Sequence, residues 1–140
     1  FNKTKILNKK SFLIKPPSFD FFFTEIHGIT WDMVKKEKTF DKIWKLVWED
    51  LKDIDLFFAH NAPFDKSVLH ACCNHYRLPI PHQNFADTVQ ISRKFWDFEN
   101  NKLNTVCKNL RIPLKHHDAL SDSRGCAQIA IEAFKLGYVI

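Results

Sequence analysis

The strongest helical pattern in the chain follows Thr39. Apolar side chains recur there at a spacing close to 3.6 residues, and threonine is a residue that commonly precedes a first helical turn. The apolar positions are Phe40, Ile43, Trp44, Val47, Trp48 and Leu51. The pattern predicts an amphipathic helix that packs this face against a sheet.

Two short, continuous apolar runs, at residues 54–59 and 85–88, predict buried strands of the parallel type. A helix is predicted after each strand, over residues 63–76 and 89–96, and Pro63 suits the first turn. Two more helices are predicted, over residues 103–110 and from Asp118 or Ala119 to Leu136, where Gly137 follows the last turn. This alternation is typical of an α/β layered domain.

The N-terminal part of the chain gives a weaker pattern. Residues 3–15 are predicted to be extended, with a β-prone stretch at residues 11–15 that Pro16 and Pro17 end, and a loop then runs to Thr30. This leaves one strand before the first helix, whereas a mixed sheet needs more. We therefore expect residues 1–140 to form one domain that is incomplete at its N-terminus.

Composition narrows the class of protein. The hydrophobic content is 45% and the mean hydropathy is −0.29, as in a globular protein, and no apolar run is long enough to cross a bilayer. The formal net charge is +5, which favours a polyanionic partner, although a lysine-rich solvated surface has the same charge. No signal peptide is apparent. We expect a cytoplasmic protein without a membrane partner.

The four cysteines do not predict a disulfide or zinc framework. No Cys-x-x-Cys pair occurs, which favours reduced thiols. His70, Cys72, Cys73 and His75 lie together, but neighbours one or two apart on a helix do not face each other. Buried thiols and surface histidines are therefore the preferred interpretation.

Two six-residue segments carry the candidate chemistry. Residues 60–65 read His-Asn-Ala-Pro-Phe-Asp and residues 117–122 read His-Asp-Ala-Leu-Ser-Asp, each near the start of a predicted helix. Carboxylate oxygens suit Mg²⁺ or Mn²⁺, and an imidazole suits a general base. The alternatives are that Asp65 and Asp122 are helix caps and that His60 and Asn61 satisfy backbone groups at a strand end. Asp87 is predicted to cap the helix that follows it.

These segments resemble the second and third motifs of the DEDDh, or DnaQ-like, 3′→5′ exonucleases, relatives of the proofreading ε subunit of DNA polymerase III. Residues 58–65 match the second motif, and residues 117–122 match the third, His-x-Ala-Leu-x-Asp. Residues 26–30 and 85–88 are similar to the family's conserved turn and to its Asp-Thr strand end. The likeness covers nearly the whole chain.

The resemblance implies an α/β, RNase H-like mixed sheet flanked by helices, with the first, central strand missing from this chain. It also implies a metal-dependent 3′→5′ exonuclease that hydrolyses nucleic acid to nucleoside 5′-monophosphates with two divalent ions, Mg²⁺ or Mn²⁺. Asp65 and Asp122 would be the metal ligands and His117 the general base.

The resemblance further implies that His27 and Ile29 contact the terminal nucleotide and that Asn61 positions the strand. The expected substrate is a single-stranded or frayed 3′ end of DNA, with RNA as the alternative, and a DNA polymerase is an expected partner. The family's first motif, Asp-x-Glu, is absent, and Asp20 and Glu25 come too late to replace it. We therefore expect weak or no hydrolysis by this chain. The other readings are a non-catalytic nucleic-acid- or polymerase-binding module and an exoribonuclease.

Overall fold

The computed structural model describes residues 1–18 and 24–140, and within them it has seven helices and two strands. In chain order these elements are α1 (Thr24–His27), α2 (Trp31–Val34), α3 (Phe40–Leu51), β1 (Leu56–Ala59), α4 (Ala62–His75), β2 (Asn84–Asp87), α5 (Thr88–Phe95), α6 (Leu103–Asn109) and α7 (Ala119–Lys135).

The two strands form a parallel pair, and α4 is the connection between them. Leu56 is paired with Asn84 at one end and Ala59 with Asp87 at the other, while the rings of Phe57 and Phe85 lie 5.0 Å apart across the pair. Because the strands are parallel, both carboxyl ends lie at the same edge of the sheet. The first motif segment and the start of α5 therefore meet at this edge.

Helix α7 occupies the centre of the packing, where it contacts α5, α6 and β1, while α4 contacts both strands. The main apolar cluster lies chiefly between α6 and α7, and its buried members are Leu103, Val106, Cys107, Ile112 and Ile129. Gly125 permits the close approach of α7 to α6, since a Cβ there would lie 3.0 Å from the Cys107 Sγ. This packing fixes the start of α7, which carries the second motif segment.

The N-terminal predictions are partly wrong. The predicted β-prone stretch at residues 11–15 forms only one isolated parallel bridge, between Lys15 and Thr39. The predicted loop that ends at Thr30 contains the single-turn helix α1, and α2 follows directly after Thr30. A strand needs a hydrogen-bonded partner along its length, and the described residues offer this segment only that bridge.

Helix α3 begins after Thr39 as predicted. Its aromatic side chains contact one another, with ring centroids 5.5 Å apart for the stacked pair Phe40 and Trp44 and 5.7 Å for the tilted pair Trp44 and Trp48. A polar link joins the end of α3 to the segment before β2, because the Gln83 side chain donates to the carbonyl oxygens of Leu51 and Lys52 at 3.3 Å.

Among the described residues, no helix is both long and apolar enough to cross a membrane.

Candidate active site

A cavity of about 890 Å³ opens where β1 ends and where α4, α6 and α7 begin. Its wall includes Asn61 and Asp65 from the first motif segment and His117 and Asp122 from the second. Fifty-two residues separate His117 from Asp65 along the chain (117 minus 65), so the fold, not the sequence, brings them together. Among the described residues, Asp65 and Asp122 are the carboxylates in this wall.

Asp65 lies in the first turn of α4, and Asn61 just before that helix adopts a left-handed backbone conformation with φ of 73°. Partial burial raises the pKa of the Asp65 carboxyl above its ordinary value, and the negative charge of Asp87 raises it further. Asp65 is not the N-cap of α4, because that position belongs to Asn61 and Asp65 lies inside the first turn. A cation beside Asp65 would relieve both unfavourable effects.

Asp87 has a structural role. Its Oδ1 accepts hydrogen bonds from the backbone N–H of Val89 at 2.9 Å and of Asn61 at 3.0 Å. The first bond confirms the prediction that Asp87 caps the helix after it. The second bond ties the start of α4 to the end of β2, which fixes the backbone four residues before Asp65.

His60 is also held in a structural arrangement, because both of its ring nitrogens have partners. The Nε2 atom lies 2.8 Å from the carbonyl oxygen of Asn101, and Nδ1 lies 2.9 Å from the Thr88 Oγ1. A carbonyl oxygen only accepts, so Nε2 carries the hydrogen and Nδ1 of the neutral ring accepts from Thr88. Burial lowers the pKa of His60, which favours this neutral ring.

The second motif segment contains a different cap. The side chain of Asp118 accepts a hydrogen bond from the Ser121 N–H at 2.9 Å and caps α7, so Asp122 is not needed for that role. Asp122 instead accepts from the His117 backbone N–H at 3.2 Å through Oδ2. The interpretation of Asp122 as the helix cap is therefore wrong, and its carboxylate faces the cavity with His117.

His116 is a cavity residue that the sequence analysis did not identify. His117 has a φ of 67°, and the two imidazole rings stack with centroids 3.9 Å apart. The Nδ1 atom of His116 lies 3.4 Å from the Asp122 Oδ1. The doubled histidine was visible in the sequence, but the left-handed backbone that turns both rings to one side was not, because it occurs here at a residue other than glycine.

The thiols near the cavity offer no thiolate. Burial raises the pKa of Cys126, which lines the cavity, to about 12, and burial raises that of Cys107 to about 11. Both thiols are therefore protonated near neutral pH, and a protonated thiol is neither a good nucleophile nor a metal ligand. The donors in the wall are carboxylate oxygens, imidazole nitrogens and amide groups.

His27 and Ile29 lie outside the cavity wall. The His27 Nδ1 accepts from the Ile29 N–H at 3.0 Å, and the Thr24 hydroxyl donates to the Ile29 carbonyl oxygen at 3.0 Å. Gly28 between them has a φ of 69°, a conformation that glycine adopts without strain. These bonds form a tight turn, and the contact of its residues with a nucleotide stays a prediction. Asp20 lies outside the described residues.

Comparison with known families decides the class of protein. The sequence model of the family described as "Exonuclease" (RNase_T) matches residues 1–130. The chain belongs to this exonuclease family. The resemblance to DnaQ-like, DEDDh exonucleases is thereby confirmed, and with it the assignment to a family of nucleases that act on nucleic acid.

Several curated relatives of this chain are DNA polymerases III of the PolC type. The protein from Bacillus cereus is 32% identical over 113 residues, covering 79% of the chain and 8% of the relative. The protein from Listeria monocytogenes is 34% identical over 110 residues, covering 77% of the chain and again 8% of the relative. The exonuclease chain thus spans a small part of these much longer polymerases.

A solved structure of Exonuclease X in complex with 5′ overhanging duplex DNA is similar to this exonuclease in fold. The TM-score is 0.64 at 22% sequence identity, and the match covers 81% of the chain and 64% of the Exonuclease X chain. Together with the family match, this likeness confirms the predicted α/β, RNase H-like fold class.

Exonucleases of this family generally use divalent metal ions, and the cavity fits such an ion. Asp65 and Asp122 supply hard oxygen donors, and burial, together with the charge of Asp87, raises the pKa of Asp65. The carboxylates in the wall are therefore donors of the kind that a divalent cation prefers.

Proposed function

We propose that the chain is the exonuclease domain, over residues 1–140, of a metal-dependent 3′→5′ exonuclease that hydrolyses DNA to nucleoside 5′-monophosphates. The observation that carries this proposal is the meeting of Asp65, Asp122 and His117 in the wall of one cavity. The family match supports nuclease chemistry. The proposed 3′→5′ direction and the 5′-monophosphate products rest on the resemblance of the two motif segments to those of the DEDDh exonucleases.

Asp65 and Asp122 would hold two divalent ions, Mg²⁺ or Mn²⁺. Ions of this kind supply positive charge to the scissile phosphate and make a bound water more acidic. Different contacts position the two carboxylates. Asp122 is oriented by the backbone N–H of His117, whereas Asp65 is positioned by the start of α4, which Asn61 ties to Asp87.

His117 would act as the general base that takes a proton from the attacking water. Its side chain is exposed at the cavity wall, and its backbone is held to Asp122, so a proton acceptor stands next to a ligand carboxylate. An imidazole accepts protons in the neutral pH range, which suits this step.

The substrate roles follow from the resemblance to the DEDDh exonucleases. Asn61 lies in the cavity wall and would position the nucleic-acid strand, while His27 and Ile29 would contact the terminal nucleotide from the turn that holds them. The net charge of +5 favours a polyanion, and a single-stranded or frayed 3′ end of DNA is the proposed substrate. The PolC-type relatives favour association with a DNA polymerase.

The number of cavity carboxylates favours weak hydrolysis by this chain. Asp65 and Asp122 are the two that the described residues contribute to the wall, and Glu25 on α1 is not part of it. A site with two carboxylates should bind two ions more weakly than a site that also has the two acids of the Asp-x-Glu motif, and it should align the scissile phosphate less well. The same observation favours a second candidate, a non-catalytic nucleic-acid- or polymerase-binding module on this fold.

The test uses single strands of one sequence, as DNA and as RNA, labelled at the 3′ or the 5′ end and incubated with Mg²⁺ or Mn²⁺. We expect the wild-type chain to release labelled mononucleotide slowly from 3′-labelled strands, and faster from DNA than from RNA. The Asp122→Asn variant should release none. Release from the 5′ label overturns the direction, and faster release from RNA favours the exoribonuclease. Strand binding without any cleavage supports the binding module, and fast hydrolysis lost in Asp122→Asn contradicts the expected weakness.

A further inference from the structure

Three potential metal donors lie together at the start of α7. One ligand atom from each of His116, His117 and Asp122 lies within 4.8 Å of the other two. We propose that these three residues, called here the histidine cluster, bind a transition-metal ion of the Zn²⁺ class. This site differs from the carboxylate ion site proposed above, because it uses imidazole nitrogens and does not need Asp65.

The backbone explains why two adjacent histidines can share one ion. Successive side chains of an extended chain point to opposite sides, which would separate the two rings. The left-handed φ of 67° at His117 cancels this alternation, and the rings stack with centroids 3.9 Å apart and an angle of 23° between their planes. The cluster is therefore set by the local fold.

The third donor is held where the rings can reach it. The Asp122 Oδ2 accepts the His117 backbone N–H at 3.2 Å, and its Oδ1 lies 3.4 Å from the His116 Nδ1. Donors around a tetrahedral Zn²⁺ lie about 3.4 Å apart, since each bond is about 2.0–2.2 Å long. The stacked rings cannot both hold an ion in their planes, but both histidines are exposed, so their rings can turn out of the stack and aim one nitrogen each at a shared ion without moving the helix.

The donor set selects the kind of ion. Two imidazole nitrogens and one carboxylate oxygen are typical ligands of Zn²⁺ and its neighbours Co²⁺ and Ni²⁺, whereas Mg²⁺ prefers oxygen donors alone. Three protein ligands beside an open cavity leave a fourth position for water. The cluster should therefore retain Zn²⁺ in the presence of a large excess of Mg²⁺.

Occupation of the cluster has a consequence for hydrolysis, and this part rests on the proposed function. An ion bound there coordinates His117, the proposed base, and Asp122, a proposed ligand of the catalytic ions. Zn²⁺ would thus inhibit the Mg²⁺-dependent reaction, and substitution of His116 would weaken that inhibition.

The binding test needs no nucleic acid and no activity. Untagged protein is titrated with Co²⁺ in excess Mg²⁺, visible absorption reports coordination by protein nitrogen atoms, and Zn²⁺ is then added to displace it. The wild-type chain should bind one Co²⁺ per chain, and His116→Ala should lose affinity at least about tenfold. Asp65→Asn and the control His82→Ala, an exposed loop histidine outside the cavity wall, should bind as the wild type does.

Each result is decisive for the cluster. Equal Co²⁺ affinity in His116→Ala and the wild type overturns the proposal, as does an equal loss in Asp65→Asn or His82→Ala. Thermal unfolding of each variant checks the fold, and His116→Gln gives a second variant that keeps polarity and size. If Co²⁺ binding behaves as expected and no nucleotide is released under any condition, the metal site stands and the proposed exonuclease function fails.

Discussion

His60 and His117 each stand five residues before a carboxylate in the same cavity wall, yet their environments are opposite. His60 is half-buried, and its two ring nitrogens lie within 3 Å of Thr88 and of the Asn101 carbonyl oxygen. His117 is exposed, and the bond that holds it is made by its backbone N–H to Asp122.

This difference shows that spacing alone does not assign a role to a histidine. A ring whose nitrogens are both committed to protein partners cannot exchange a proton without breaking a hydrogen bond. An exposed ring beside a carboxylate has no such cost. The first segment therefore contributes a carboxylate on a fixed support, and the second contributes a carboxylate and an exposed imidazole, His117.

The largest effect is expected from His117→Ala. If His117 is the general base proposed above, its loss should lower kcat by roughly 10²- to 10⁴-fold, while the thermal midpoint should stay close to that of the wild type because the side chain is exposed. Mononucleotide release and thermal unfolding measure the two quantities, and His82→Ala is the matched control. If His117→Ala instead lost stability and kept its rate of release, His117 would have a structural role like that of His60.

His60→Ala should give the opposite result. The substitution leaves the Asn101 carbonyl oxygen without the His60 donor, while the Thr88 hydroxyl keeps the Ala59 carbonyl oxygen at 3.3 Å, and it should lower the free energy of unfolding by about 1–3 kcal/mol. Chemical denaturation measures the loss. His60→Gln, whose amide can both donate and accept, should recover part of it, and full stability in His60→Ala would show that these bonds contribute nothing.

A smaller effect concerns the pH dependence of stability at His60. Because burial lowers the pKa of His60, the unfolded chain binds a proton below the ordinary pKa of 6.5, before the folded chain does. Stability due to this group therefore falls as the pH drops from 6.5 through the lowered value. Unfolding measured across this range should show a weaker pH dependence in His60→Gln than in the wild type, and an equal pH dependence would contradict the burial of this ring.

The smallest effect concerns the loss of folding stability that the charged form of Asp65 causes. Its pKa is raised, so the folded protein favours the neutral carboxyl and loses stability as the pH rises through that value. Asp65→Asn should raise the thermal midpoint slightly near neutral pH, and the gain should vanish below the ordinary carboxyl pKa of 3.8. A lower midpoint in the variant would mean that the charged carboxylate is stabilised by its surroundings.

Local patterns predicted most of the fold from α4 onward. The bounds of α4, α5, α6 and α7 agree with the predicted helices to within one residue at each end. Proline in the first turn of α4 and glycine beyond α7, where Gly137 has a φ of 92°, mark the ends of these elements in the sequence. Helices α1 and α2 have four residues each, too short for a helical period to be recognised.

The sequence indicated the cavity residues that lie in the motifs, but not the geometry around them. Asp65, Asp122 and His117 come from the two motif segments, and the structure places them in one wall, while their roles stay predictions. The position of the His116 ring depends on left-handed backbone at His117, and the bond between Asn61 and Asp87 depends on the pairing of distant strands. Neither left-handed backbone at a residue other than glycine nor a contact between distant strands can be recognised in the local sequence.

The bond from His60 to Asn101 has a consequence for the dimensions of the cavity. His60 follows β1, while Asn101 comes just before Lys102 and Asn104, which line another part of the wall. One neutral imidazole thus sets the gap between two segments that a substrate strand would have to enter. Protonation of the ring would leave this bond in place, because Nε2 donates to the Asn101 carbonyl oxygen in both states, so the spacing of the two segments should not depend on the charge of His60.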